Sequence, residues 1–144
     1  MGVARTHQGS TDPLIQGNLS AVKDWGYAKD YVEGMWKMLQ YDIPDDFVMG
    51  TCESHTVRDF VDEAFSVVGK NVKWIGTGVN EVGLSDEGKV LVKVSRDLYR
   101  PLESDNYRAD YTKAREKLGW EPRVKFKELV KLMVESDIKA LNTQ

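Results

Sequence analysis

Apolar and polar positions divide this chain into helices and short strands. Leu14-Ile15-Gln16-Gly17 is a brief apolar run stopped by glycine, the form of a strand end. From Tyr27 to Gln40 the residues Tyr27, Ala28, Tyr31, Val32, Met35 and Leu39 recur at helical spacing, with Lys29, Glu33 and Lys37 between them. That period predicts an amphipathic helix. Pro44, Asp45 and Asp46 end it, and Phe47-Val48-Met49 then reads as a short buried strand. Val57, Phe60, Val61, Ala64, Phe65 and Val68 form one stripe of a second helix. Thr56 and Asp59 stand at capping-box positions before it, and Gly69 stops it. Val72 to Ile75 reads as a strand, Gly76 to Gly88 as a loop, and Val90 to Val94 as another strand. A short helix opens at Asp110 or Thr112 and closes near Leu118-Gly119. After Pro122 a last helix carries Phe126, Leu129, Val130, Met133, Val134, Ile138 and Leu141. Residues 1–13 show no period and read as an unstructured tail or a non-native start. The expected class is α/β, α+β-like: a small mixed lobe of helices and short strands.

Length changes this picture by exclusion. At 144 residues the chain suits one domain. A dinucleotide-dependent enzyme usually needs a nucleotide domain plus a substrate domain, and there is room here for one. Charge excludes further classes. Twenty Lys+Arg against 23 Asp+Glu leave no broad basic footprint, so neither nucleic acid nor a membrane surface is an expected partner. No apolar run approaches the roughly 18 residues of a membrane span, and the first residues lack the apolar stretch of a signal peptide. Cys52 has no second cysteine to pair with, which points to a reducing, cytoplasmic setting. His7 and His55 lie far apart, and no metal site is expected.

Most catalytic motifs fail. Gly76-Thr77-Gly78 begins a dinucleotide fingerprint, but Glu81 stands where its third glycine belongs. None of the six tyrosines has Lys four residues on, and no G-x-S-x-G elbow is present. Cys52 near His55 reads as a small core residue at a strand end rather than a nucleophile. Trp25 and Trp120 read as packing anchors. No catalytic residue is therefore expected. Two constellations remain. Lys23-Asp24-Trp25 places a cation and an aromatic just before a helix. Arg100-Pro101-Leu102-Glu103 spaces an arginine suited to a phosphate fork from a carboxylate suited to sugar hydroxyls.

These segments bring a family into view. GNLSAVKDWGYAKDYVEGMWKMLQ, DFVMGTCESHTVRDFVDEAF, YRPLE and DYTKAREKLGWEPRVKFKELVKLMVESDI resemble the GDP-mannose 4,6-dehydratase family. Its members are NADP-dependent extended short-chain dehydrogenases/reductases that convert GDP-mannose to GDP-4-keto-6-deoxymannose. The resemblance implies that residues 14–144 are the nucleotide-sugar-binding C-terminal part, with most of the Rossmann sheet missing. It puts Arg100 near the pyrophosphate and Glu103 on the nucleotide ribose. Lys23 stands where the family normally has an arginine directed at the phosphates, and Lys loses the fork. Ser95 stands where the family usually has Asp. The family's catalytic Thr or Ser, Glu, Tyr and Lys lie on the N-terminal domain, outside the matched segments. The resemblance thus implies NADP for the parent family and no cofactor bound by this chain alone. It implies GDP-mannose or a related nucleotide-sugar as ligand, and a Rossmann-domain chain or a homo-oligomer as partner. Two other readings stay open: a non-catalytic interaction module, and the C-terminal part of a UDP-sugar epimerase or dehydratase.

Overall fold

Helix α3 (Val57–Val67) shows how local sequence sets an element here. The Thr56 hydroxyl accepts from Asp59 N at 3.0 Å, and the Asp59 carboxylate accepts from Thr56 N at 2.8 Å. That capping box satisfies two backbone donors that the helix start would orphan. At the other end Gly69 N donates to the Ser66 carbonyl and Lys70 N to the Phe65 carbonyl. Gly69 sits at φ +71°, so this is a Schellman stop of the kind glycine favours. Val61, Ala64 and Phe65, on the predicted stripe, are buried.

The structure is a computed structural model, and it describes residues 1–100 and 108–143. The remaining elements are α1 (Gly2–His7), β1 (Leu14–Gln16), β2 (Val22–Lys23), α2 (Ala28–Leu39), β3 (His55–Thr56), β4 (Lys73–Ile75), β5 (Val82–Leu84), β6 (Val90–Val94), α4 (Thr112–Leu118) and α5 (Phe126–Asn142). A 3-10 turn spans Gly78–Asn80. One sheet has the order β1-β6-β5-β4, and β2 with β3 forms a second, two-stranded sheet. Among the described residues no helix is long and apolar enough to cross a membrane.

Contacts divide the chain into two compact units. The first takes in Met1–Ala21, Thr56–Ser104 and Val130–Gln144. It holds the four-stranded sheet. β1 runs parallel to β6, with Leu14 opposite Val92, and β6, β5 and β4 pair antiparallel. Leu91 and Val92 of β6 are buried, as are Val130 and Val134 of α5. β5 lies inside the stretch expected to be a loop. Its three residues carry Gly83 at the centre, too short and too weakly apolar to show a period of two. Trp74 and Val92 flank Gly83 across the ladder, and Val72 also reaches it. The expectation of a loose tail at 1–13 also differs from the structure: α1 forms there and buries Val3 and Ala4. Six residues cannot display a helical period clearly. Gln8 Nε2, just past α1, donates to Asn142 Oδ1 at 2.7 Å.

A polar network ties α3 to the sheet within this unit. Arg58 Nε and Nη2 both donate to Glu81 Oε1, at 2.9 and 2.5 Å, and Glu81 is buried. The Arg58 guanidinium lies 5.7 Å from the Trp74 ring centroid, and Trp74 Nε1 donates to Asp62 Oδ1 at 2.9 Å. Burial pushes the Asp62 carboxyl above its ordinary pKa, helped by Asp59 and Glu81; the Trp74 hydrogen bond and Arg58 pull it back. A raised carboxyl binds its proton more readily in the folded state. Its stabilising contribution is therefore full below the ordinary carboxylate pKa and is lost as pH rises through the raised value. Asp62→Asn keeps an acceptor for Trp74 and removes the charge. The variant should match the wild type near pH 3 and become the more stable of the two toward pH 7, read as a difference in Tm. A constant difference across that range would contradict this account of Asp62.

The second unit takes in Val22–His55 and Asp105–Leu129. Trp120 lies at its centre, buried as the anchor reading expected. Its Nε1 donates to the Asp30 carbonyl at 2.7 Å. Asp30, buried on α2, accepts from Arg123 N and Val124 N at 3.0 and 3.1 Å through Oδ2. Lys37 Nζ donates to the Gly119 carbonyl at 2.7 Å, where α4 ends. His55 stacks on Phe126 with ring centroids 3.7 Å apart. Two expectations fail in this unit. Phe47-Val48-Met49 is not a strand. And α2 buries Asp30 and Gly34, while Val32, Met35, Trp36 and Leu39 are 63, 56, 60 and 82% exposed. Periodicity identified the apolar stripe and not which side of the helix has a neighbour.

Candidate functional site

Lys23 ends β2 and is half-buried. The residue after it is fixed by an unusual number of donors. Asp24 Oδ1 accepts from Thr51 N at 2.8 Å and Thr51 Oγ1 at 2.6 Å. Its Oδ2 accepts from Cys52 N at 3.2 Å and Ala109 N at 3.1 Å. Charge-assisted bonds of this kind are about twice as strong as neutral ones. Asp24 is thus a clamp that joins three segments of the second unit and fixes the backbone beside Lys23. The Lys23-Asp24-Trp25 constellation is better described as one cation positioned by a structural carboxylate. Cys52 adopts φ +59°, uncommon for a side-chain-bearing residue. In that turn its N–H reaches Asp24, and Arg108 Nε donates to Cys52 Sγ at 3.3 Å. Neither Thr51 nor Ala109 had an expected role from the sequence.

Arg100 belongs to the first unit and is exposed. Past β6, Ser95 N donates to the Gln16 carbonyl at 2.8 Å, and the chain turns through Leu98 N to Ser95 O and Tyr99 N to Arg96 O. Gly17 lies under this turn: a Cβ there would stand 2.5 Å from the Leu98 carbonyl oxygen. Asn18 Nδ2 donates to the Arg100 carbonyl at 3.2 Å, and Asn18 Oδ1 accepts from Ser20 N at 3.0 Å. Gly17-Asn18 therefore position the backbone of Arg100, a role that their sequence, read as a strand end and its sequel, did not display. Glu103 lies outside the described residues. Of the three expected ligand residues, Lys23 falls in one unit and Arg100 in the other.

A groove of about 490 Å³ opens within the first unit, lined by Thr6, Ser10, Asp12, Lys70, Lys89 and Lys93 among others. Neither Lys23 nor Arg100 lines it. The Gly76-Thr77-Gly78 loop has a different use from the one its glycines suggest. Gly76 takes φ +80°, and a Cβ on it would meet the Asn80 carbonyl oxygen at 2.5 Å. The loop folds onto its own 3-10 turn and continues into β5, whereas a dinucleotide pyrophosphate needs a glycine loop that opens at a helix N-terminus. These residues do not fit NADP.

Comparison with known proteins agrees with the segments that carried the resemblance. The sequence profile of the family described as GDP-mannose 4,6 dehydratase matches residues 1–133. The chain is 50% identical over 142 residues to the human protein of that name, covering 98% of this chain and 38% of the relative. It is 52% identical over 136 residues to GDP-mannose 4,6 dehydratase 2 of Caenorhabditis elegans, covering 94% of this chain and 36% of the relative. This chain thus spans well under half the length of these relatives. Among solved structures it resembles RMD of Pseudomonas aeruginosa, complexed with NADPH, at TM-score 0.72 and 14% identity, covering 96% of this chain and 40% of that one. It also resembles UDP-glucose 4-epimerase of Thermotoga maritima, with UDP-glucose, at TM-score 0.65 and 27% identity, covering 97% and 38%.

Proposed function

Since this chain belongs to the GDP-mannose 4,6-dehydratase family, we propose that it is the nucleotide-sugar-binding part of such an enzyme and turns nothing over by itself. The observation that carries this reading is Arg100. Its carbonyl is held by Asn18 and its side chain stays exposed, a positioned fork for a diphosphate. Lys23 adds a second cation, and Glu103 takes the nucleotide ribose. The ligand is GDP-mannose or a close relative. NADP and the reacting side chains belong to the Rossmann part of such an enzyme, in the cytoplasm. The absence of any Tyr-x-x-x-Lys pair from the sequence supports this division.

Calorimetry with GDP tests it. Arg100→Ala should weaken GDP binding about tenfold, the loss expected for one charge-assisted contact of about 1.5 kcal/mol. Lys139→Ala, at an exposed position on α5, should change it little. Equal losses would remove Arg100 from the site, and dehydration of GDP-mannose by the purified chain with NADP would overturn the reading as a whole. The resemblance to a UDP-glucose 4-epimerase keeps a second ligand class in view. Thermal shifts measured with GDP-mannose and UDP-glucose separate the two.

A further inference from the structure

The groove of the first unit gathers charges that the fold does not use. Lys70, Lys89 and Lys93 line it, and among the described residues none of their ammonium groups has an ion-pair or hydrogen-bond partner. Other lysines of the chain are paired, Lys73 with Asp86 at 3.0 Å and Lys113 with Asp45 at 2.6 Å. Asp12 and Glu87 line the same groove, and their carboxylates also pair with no described residue. Cations and carboxylates thus share one concave surface, beyond ion-pair reach of one another.

The backbone fixes both sides of this surface. On one side Ser85 N donates to the Lys89 carbonyl at 2.8 Å, and Ser85 Oγ accepts from Glu87 N and Lys89 N at 3.3 and 3.2 Å. On the other, Ser10 Oγ accepts from Asp12 N at 3.2 Å. A serine oxygen occupied by backbone N–H groups still has its own proton to donate. Ser10 and Ser85 both line the groove, so each adds a donor to the lysines. Strand β6 contributes through an irregularity. Val82, Gly83 and Leu84 oppose Lys93, Val92 and Val90. β6 therefore carries one extra residue, and Val90 comes round to the face that bears Lys93. Val90, Leu91 and Pro13 supply apolar lining. β1 and β6 run parallel. Asp12 and Pro13 precede β1 and Lys89 precedes β6, whereas Asn18 and Arg100 follow these strands. The groove and Arg100 therefore lie at opposite ends of the strand pair.

The mixed lining has a chemical meaning. Ammonium and hydroxyl donors suit a phosphate dianion. Carboxylates repel that dianion but accept hydrogen bonds from hydroxyls. The groove's volume of about 490 Å³ lies within the range of small-molecule sites. A ligand with phosphate at one end, hydroxyls at the other and ring carbons between satisfies the whole lining. We propose that this groove binds a sugar phosphate, at a site separate from that of Arg100. The inference goes beyond the nucleotide-sugar reading and stands whatever Arg100 binds.

Calorimetry on the purified chain tests it with glucose 6-phosphate, glucose and inorganic phosphate. Glucose 6-phosphate should bind one-to-one, about tenfold more tightly than either of the others, since each lacks half of the contacts. Lys89→Ala and Lys93→Ala should each weaken it about tenfold and leave the Tm of the free chain unchanged. Lys139→Ala, exposed on α5, should not weaken it. Glu87→Gln should bring the affinities for glucose 6-phosphate and inorganic phosphate closer together, because it relieves repulsion and removes a hydroxyl acceptor. Saturating GDP should leave glucose 6-phosphate bound. No binding of glucose 6-phosphate, equal affinity for inorganic phosphate, equal loss with Lys139→Ala, or displacement by GDP would each overturn the inference. A chain that binds glucose 6-phosphate but not GDP loses the nucleotide-sugar reading alone, and the reverse result loses this inference alone.

Discussion

Trp120→Ala should cost the protein about 4 kcal/mol, the largest effect expected from a single substitution here. Burial alone places it in the range of about 3–5 kcal/mol seen for buried aromatic truncations, because the neighbours collapse only partly into the space. Trp120 is 1% exposed. Tyr31 lies stacked beside it at 6.0 Å and Tyr111 edge-on at 5.9 Å, arrangements that add to simple area burial. Gly34 allows the close approach, since a Cβ there would meet Trp120 Nε1 at 2.9 Å. The N–H also leaves with the ring, freeing the Asp30 carbonyl of that bond. Urea unfolding followed by circular dichroism measures the loss. Trp120→Phe should recover roughly half, because it restores a ring without restoring the donor. A loss under about 1 kcal/mol for the alanine variant would mean that the second unit is held by something other than this residue.

Asp24→Ala should follow, at about 3 kcal/mol. Four donors lose one carboxylate, and Thr51, which supplies two of them, is almost wholly buried. Each bond to a charged group contributes about 1.5–3 kcal/mol, but one side chain serves all four, so they do not add. Asp24→Asn is the more telling variant. Its single amide oxygen can serve the two Thr51 donors, while its NH2 would then face the N–H groups of Cys52 and Ala109. Asn should therefore rescue less than half of the loss. Full rescue would show that shape, and not the second acceptor oxygen, is what these segments require. GDP calorimetry on the same variants adds a functional readout: because Asp24 fixes the backbone beside Lys23, GDP binding should fall with the clamp.

The elements legible in the sequence were those closed by their own residues. α3 has its capping box and glycine stop, α4 ends at Gly119 in the left-handed conformation, and β6 is a five-residue strand with four apolar residues. Elements that depend on a neighbour were misread. Phe47-Val48-Met49 has the composition of a strand but gains no ladder from the described residues. β5 has little strand composition and gains its ladder from β4 and β6. The same division holds for the candidate site. Arg100 was visible because an Arg-Pro-x-Glu spacing is local. Asn18, which holds the Arg100 carbonyl from 82 residues away, was not. Asp24 was visible as a charge but carried no assigned role, because its donors come from Thr51, Cys52 and Ala109, far along the chain.

The second unit is built from two stretches of chain with the middle of the first unit strung between them. Asp24 meets Ala109 across 85 residues, and Asp30 meets Val124 across 94. Closing a loop of that size costs about 2 kcal/mol more than closing one of ten residues. During synthesis, α2 emerges long before Trp120 exists to cover its inner face. Until then this helix leaves Tyr31 and its outer apolar stripe uncovered together, and the second unit folds only once the stretch that carries Trp120 and Val124 has been made.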